Sequence, residues 1–230
     1  MLKMWAISIK EFQSLFKSIK SIIVIIIVCG ASYGIAHIVS QLGGQLTSAQ
    51  IRDGANGGIL AMLLGFGPLF ISSLSHNVIN QEIKTRTARF LVTKTSRERI
   101  VLGKFLGICC FWLVCISLSF LLIAFISHHF SFYIFLECLL FTMCMISFVL
   151  MLSALLPNPT HTMFLSIILS FVLPVLSGWS IFSSKAYIAW FKYVTPYYYL
   201  KLEKGYLTVL LIFAALCLCT ALWSFKRREV

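Results

Sequence analysis

Long apolar runs separated by short polar intervals set the pattern of this chain. Six runs approach the roughly 20 residues that a helix needs to cross a hydrocarbon layer about 30 Å thick. They are Ser21–Val39, Ile59–Ile79, Phe105–Ile126, Phe132–Leu156, Thr162–Phe182 and Tyr206–Phe225. None alternates apolar and polar residues as barrel strands do, so the expected class is all-α, a polytopic protein with six transmembrane helices. Gly65, Gly67 and Pro68 in the second run, and Pro174 and Gly178 in the fifth, predict kinks there.

Three segments between or before the runs carry their own pattern. In residues 1–20, Leu2, Trp5, Ile9, Phe12, Phe16 and Ile19 recur at three and four, with Lys3, Lys10 and Lys17 on the flank. That pattern predicts an amphipathic helix lying in the membrane interface, with packing on the protein's own spans as the alternative. Residues 82–104 form the long connection between spans two and three. Glu82–Val92 reads as a short helix, Thr95 and Glu98 fit a capping box, and a second helix is expected to start near Ser96 and run into span three. Phe90 and Leu91 on such an elbow, with Arg86, Arg89 and Arg97 around them, make a candidate docking surface. Residues 183–205 mix Tyr187, Trp190, Tyr193 and Tyr197 to Tyr199 with lysines, the composition of headgroup depth. This predicts short helices lying in or dipping into the outer leaflet, broken at Pro196.

Composition agrees with the pattern. Hydrophobic residues make up 60% of the 230 and charged residues 11%, too few to cover a soluble globule. Aromatics at 14% exclude disorder. The net charge of +12 reports orientation. With the N-terminus inside, fourteen of the 19 Lys and Arg residues fall on inner segments, so both termini are expected in the cytoplasm. The whole of 1–230 is expected to form a single transmembrane domain. The first run is longer than the apolar core of a signal peptide and has no small-x-small site after it, so it reads as a retained span.

The chemistry points away from catalysis. Gly103-Lys104 lacks the first glycine of a phosphate-binding loop, because Glu98 stands there, and Phe105 replaces the hydroxyl residue that should follow. No metalloprotease helix or nucleophile elbow occurs, and no catalytic residue is assigned. All eight cysteines fall within expected spans and read as small buried hydrophobes. His128-His129 has no third ligand near it in sequence, so no metal site is assigned. Glu137 is the carboxylate within a span, five residues in from its outer end and about 8 Å deep. It is a candidate for the substrate path or for a structural pair with a base such as His37 or Lys185. Gly30 and Gly34, at i and i+4, are candidates for close helix packing between subunits.

The order of these segments resembles the permease subunits of type-2 ABC transporters. At residue level the likeness rests on Glu82, Thr87, Leu91, Ser96, Arg97, Gly103 and Lys104, with a proline–tyrosine–acid echo in Pro196–Glu203 ahead of the last span. Ile83, Arg86 and Thr95 depart from the family pattern. The resemblance implies an interfacial helix, a coupling helix between spans two and three, and a re-entrant segment between spans five and six. It also implies that Glu82, Arg86, Arg89, Phe90, Leu91 and Arg97 dock a separate ABC ATPase, which would hold ATP and Mg; this chain would bind no cofactor itself. A second permease subunit, as a homo- or heterodimer, and the lipid bilayer would be the other partners, with no nucleic acid. The expectation is therefore an exporter subunit in a bacterial cytoplasmic membrane, moving an amphipathic or hydrophobic substrate such as a peptide toxin or bacteriocin, an antibiotic or a lipid-like molecule. A stand-alone secondary transporter, or a membrane-embedded enzyme or scaffold, is the alternative.

Overall fold

A computed structural model describes residues 2–41, 48–85, 95–183, 185–202 and 206–227. Every regular element among these residues is helical. In order they are α1 (Leu2–Lys17), α2 (Ile19–Gln41), α3 (Ser48–Ser75), α4 (Asn80–Lys84), α5 (Arg97–Ser127), α6 (Phe132–Leu155) and α7 (Pro159–Phe182). There follow α8 (Ala186–Ala189), a 3-10 turn (Trp190–Tyr193), α9 (Pro196–Lys201) and α10 (Leu207–Arg227). Six of them are long and apolar enough to cross a membrane: α2, the stretch Gly54–Glu82, α5, α6, α7 and α10.

The apolar runs locate these helices to within a few residues, with two differences. Helix α3 begins at Ser48, well before the apolar run opens at Ile59, because the polar residues ahead of the run extend the same helix. Helix α5 starts at Arg97, so the inner arm and span three are one continuous rod. The capping box is not used. Ser96 occupies the cap position in extended conformation and makes no side-chain capping bond, so the start is set by Ser96 and not by Thr95 with Glu98.

Helix α6 forms the axis. It packs against α10, α3 and α5, and is by far the most buried of the six. Phe141, Cys144, Ile146 and Leu150 on it are fully enclosed. Around it α1 lies on α5, α5 on α2, α2 on α3 and α3 on α7. Many exposed side chains are large and apolar, among them Ile26, Phe125, Phe171, Trp179 and Leu216. In water such a surface would be untenable; toward lipid it is the expected outside. Cys110 and Cys219 also face outward, so the expectation that all eight cysteines are buried holds only for some of them. An apolar thiol costs little to leave against lipid.

Helix α1 departs most from its sequence pattern. The face it buries carries Ser8 and Leu15, while Trp5 and Ile9 of the apolar stripe stay exposed. Small residues explain this. A Cβ on Gly107 would lie 2.7 Å from the Ser8 carbonyl oxygen and 2.8 Å from the Glu11 Cβ, and one on Gly103 would lie 3.0 Å from the Met4 carbonyl. The two helices meet backbone to backbone at this glycine pair, four residues apart, the geometry that small residues permit in membranes. Phe16 then closes the contact edge-on to Phe111, with centroids 5.0 Å apart.

Candidate coupling site and outer segment

At the end of the bundle that holds both termini, three elements converge on Lys104. It lies two turns into α5 and is 5% exposed. A charge so placed requires partners, and it has two: Glu82 of α4 at 2.8 Å and Glu11 of α1 at 3.2 Å. The three side chains tie the N-terminal helix, the end of span two and the start of span three into one knot. Helix α4 is positioned by further bonds. Asn80 donates through Nδ2 to Thr162 Oγ1 of α7 at 2.7 Å, and the backbone N–H of Ile79 donates to Ser153 Oγ of α6 at 3.2 Å.

Arg97 closes the same end from the other side. Its guanidinium donates to the Lys226 carbonyl at 2.8 Å, satisfying a free acceptor in the last turn of α10. Lys226 in turn approaches Glu98 at 3.9 Å, but both are well exposed, so this pair contributes little.

Of the residues proposed to dock a partner, Glu82 and Arg97 are thus placed, and each is engaged within the chain. Arg86, Arg89, Phe90 and Leu91, with Thr87, lie outside the described residues. Gly30 and Gly34 face open space: a Cβ on either would meet nothing within 4 Å. Glu137 is 5% exposed and accepts a hydrogen bond from Tyr133, one turn earlier on α6. His37 stacks on Tyr33 of its own helix, with rings 5.9 Å apart. No group of three or more metal-ligating side chains occurs among the described residues.

The segment after α7 folds back against the bundle. Tyr197 of α9 is buried and sets its ring edge-on to Phe141, 5.3 Å between centroids. Phe141 stands nine residues into α6, about 14 Å along it, so α9 reaches well below the helix end. Two apolar cavities flank Tyr197. One of about 390 Å³ lies between α3 and α7, with Leu64, Gly65, Pro174 and Gly178 on its wall. The other, of about 210 Å³, lies against Met145, Met151, Leu173 and Phe213.

Two features escaped the sequence reading. Glu11 looked like an ordinary polar position of an amphipathic helix, and nothing local links it to Lys104. The buried residues of α7 are Thr162, Ser166, Ser170, Ser177 and Ser180, all hydroxyls. Ser170 meets Ser72 of α3 at 2.9 Å, joining spans two and five. The signal was present as hydroxyls at intervals of three, four and seven in an otherwise apolar helix.

Six helices long and apolar enough to cross a membrane fit a membrane transport family. The profile of ABC-2 type transporters matches residues 3–201, from α1 through α9. No curated relative matches the chain. Because that profile covers most of the 230 residues, the chain belongs to the ABC-2 type transporter family, as a membrane permease of that family.

Proposed function

We propose that the chain is the non-catalytic permease subunit of an ATP-driven exporter. A separate ABC ATPase would dock on residues 82–104, and a second permease subunit, identical or related, would complete the pathway. The observation that carries this reading is the family match spanning residues 3–201. The knot at Lys104 supports it, because the connection that would receive force from an ATPase is tied directly to α1, span two and span three. ATP and Mg would stay on the partner. Both termini would lie in the cytoplasm of a bacterial cell, and residues 183–205 would re-enter the membrane from outside.

The two apolar cavities beside Tyr197 suit a hydrophobic or amphipathic substrate, with a peptide toxin or bacteriocin as first candidate and an antibiotic or lipid-like molecule next. The test is to look for an ABC ATPase encoded beside this chain, co-express the two and purify in mild detergent. The two should elute together, the complex should hydrolyse ATP, and the chain alone should not. Hydrolysis by the isolated chain, free of contaminants, would refute the assignment.

A further inference from the structure

A polar cavity of about 400 Å³ lies beside the Lys104 knot. Five charged or titratable side chains line it: Glu11 from α1, Lys20 from the first turn of α2, His76 and Glu82 from the end of span two, and Lys104 from α5. Ser14, Ser18 and Ser73 add hydroxyls. Lys104 is saturated by its two carboxylates, whereas Lys20 is exposed on the cavity rim. His76 is 8% exposed, and its Nδ1 donates to the Ser72 carbonyl at 2.9 Å, which leaves Nε2 as an acceptor for a ligand. The cavity therefore offers a cation and hydroxyl donors together with a ring nitrogen and part-exposed carboxylate oxygens. The first turns of α2, which carry Lys20, also carry Ile19, Ile22, Ile23 and Ile26, all exposed, and Ile19 is 76% so. A charged recess thus opens at the foot of an apolar strip.

We propose that this cavity binds the headgroup of a phospholipid whose phosphodiester is followed by a hydrogen-bond donor, an ammonium or a hydroxyl. Lys20 and the serine hydroxyls hold the phosphate, the headgroup donor reaches His76 Nε2 and Glu11, and the acyl chains lie along the α2 isoleucines. The lipid would sit in the leaflet beside α1 and brace that helix against the bundle. A free phosphate could use the same donors, but it would leave the apolar strip and the acceptors unused.

The full chain, with its ATPase where one co-purifies, is delipidated in detergent and titrated in native mass spectrometry. The probes are dioleoylphosphatidylethanolamine, dioleoylglycerol and inorganic phosphate. The expected result is a single retained phosphatidylethanolamine, with dioleoylglycerol retained far less. Lys20→Gln, at an exposed position where folding is not at risk, should weaken the adduct about fivefold. His76→Gln should weaken it further, and Lys192→Gln, placed between Tyr193 and Tyr198, should not. Equal retention of dioleoylglycerol, or an unchanged adduct in Lys20→Gln, would overturn the proposal. So would displacement of the lipid by millimolar phosphate, which would reassign the cavity to a free anion.

Discussion

Lys104 shows how one buried charge organises its surroundings. Its two carboxylate partners remain 20% and 24% exposed, so the triad is desolvated on the lysine side and wet on the other. Replacing Lys104 with Met leaves two carboxylates facing each other with no cation between them. Breaking a buried pair from one side costs about 3–5 kcal/mol, and the partial exposure here places the loss near the lower end. The purified Lys104→Met protein should melt well below wild type by tryptophan fluorescence. Adding Glu11→Gln and Glu82→Gln should return most of the loss; an unshifted melting curve in the single variant would contradict the triad's role. Glu137 is a different case. A glutamine there still accepts from Tyr133, so Glu137→Gln should stay within about 0.5 kcal/mol of wild type in the same melting experiment. The sequence reading looked to His37 or Lys185 for its partner; the hydrogen bond found is from Tyr133, one helical turn away on the same helix. The partners of Lys104 were not legible in sequence, because a salt bridge across three elements leaves no periodicity in any of them.

At the level of elements, glycines separate into two kinds. Gly107 lies against backbone atoms of α1, which cannot turn aside as a flexible side chain would, so Gly107→Leu must push α1 off α5. Overpacking of this kind costs about 1–3 kcal/mol, readable as a lower melting temperature and as faster proteolysis within residues 1–20. Gly30 and Gly34 touch nothing, so replacing both with Leu should leave the fold and melting intact. If their face is where the second subunit packs, the same variant should shift the complex toward single permeases in size-exclusion light scattering. An unchanged oligomer would show that the face is not used. Both glycine pairs share the i, i+4 spacing; the sequence reading proposed Gly30 and Gly34 for packing between subunits, whereas Gly103 and Gly107 are the pair that packs within the chain. Which pair meets a partner depends on where α1 lands, a decision made by the tertiary arrangement.

For the whole molecule, the proposed function depends on a contact with another protein. In the proposed complex Phe90 and Leu91 anchor the ATPase and the arginines surround them. Truncating a buried interface aromatic costs about 2 kcal/mol or more, and a rim charge less. Phe90→Ala should therefore release the ATPase in a pull-down more readily than Arg99→Ala, whose side chain is exposed; equal retention by Phe90→Ala and wild type at matched expression would move the docking surface elsewhere. What the sequence by itself determined is the list of spans, the missing phosphate-binding loop and the clustering of basic residues in 1–20, 82–104 and 226–228. Each of these is local: bilayer thickness sets the length of an apolar run, a motif is a fixed spacing, and charge counts by segment. What only the tertiary structure decided is the inward face of every span. A helix in lipid is apolar all round, so its sequence lacks the contrast of polar and apolar faces that orients a helix in water. The choice fell instead to the few residues that gain more from one another than from lipid: Gly103 and Gly107 beneath Ser8, Ser72 on Ser170, Asn80 on Thr162, and Lys104 between two glutamates. Those pairs join residues up to 99 positions apart (Ser8 and Gly107), and chain folding alone brings them together.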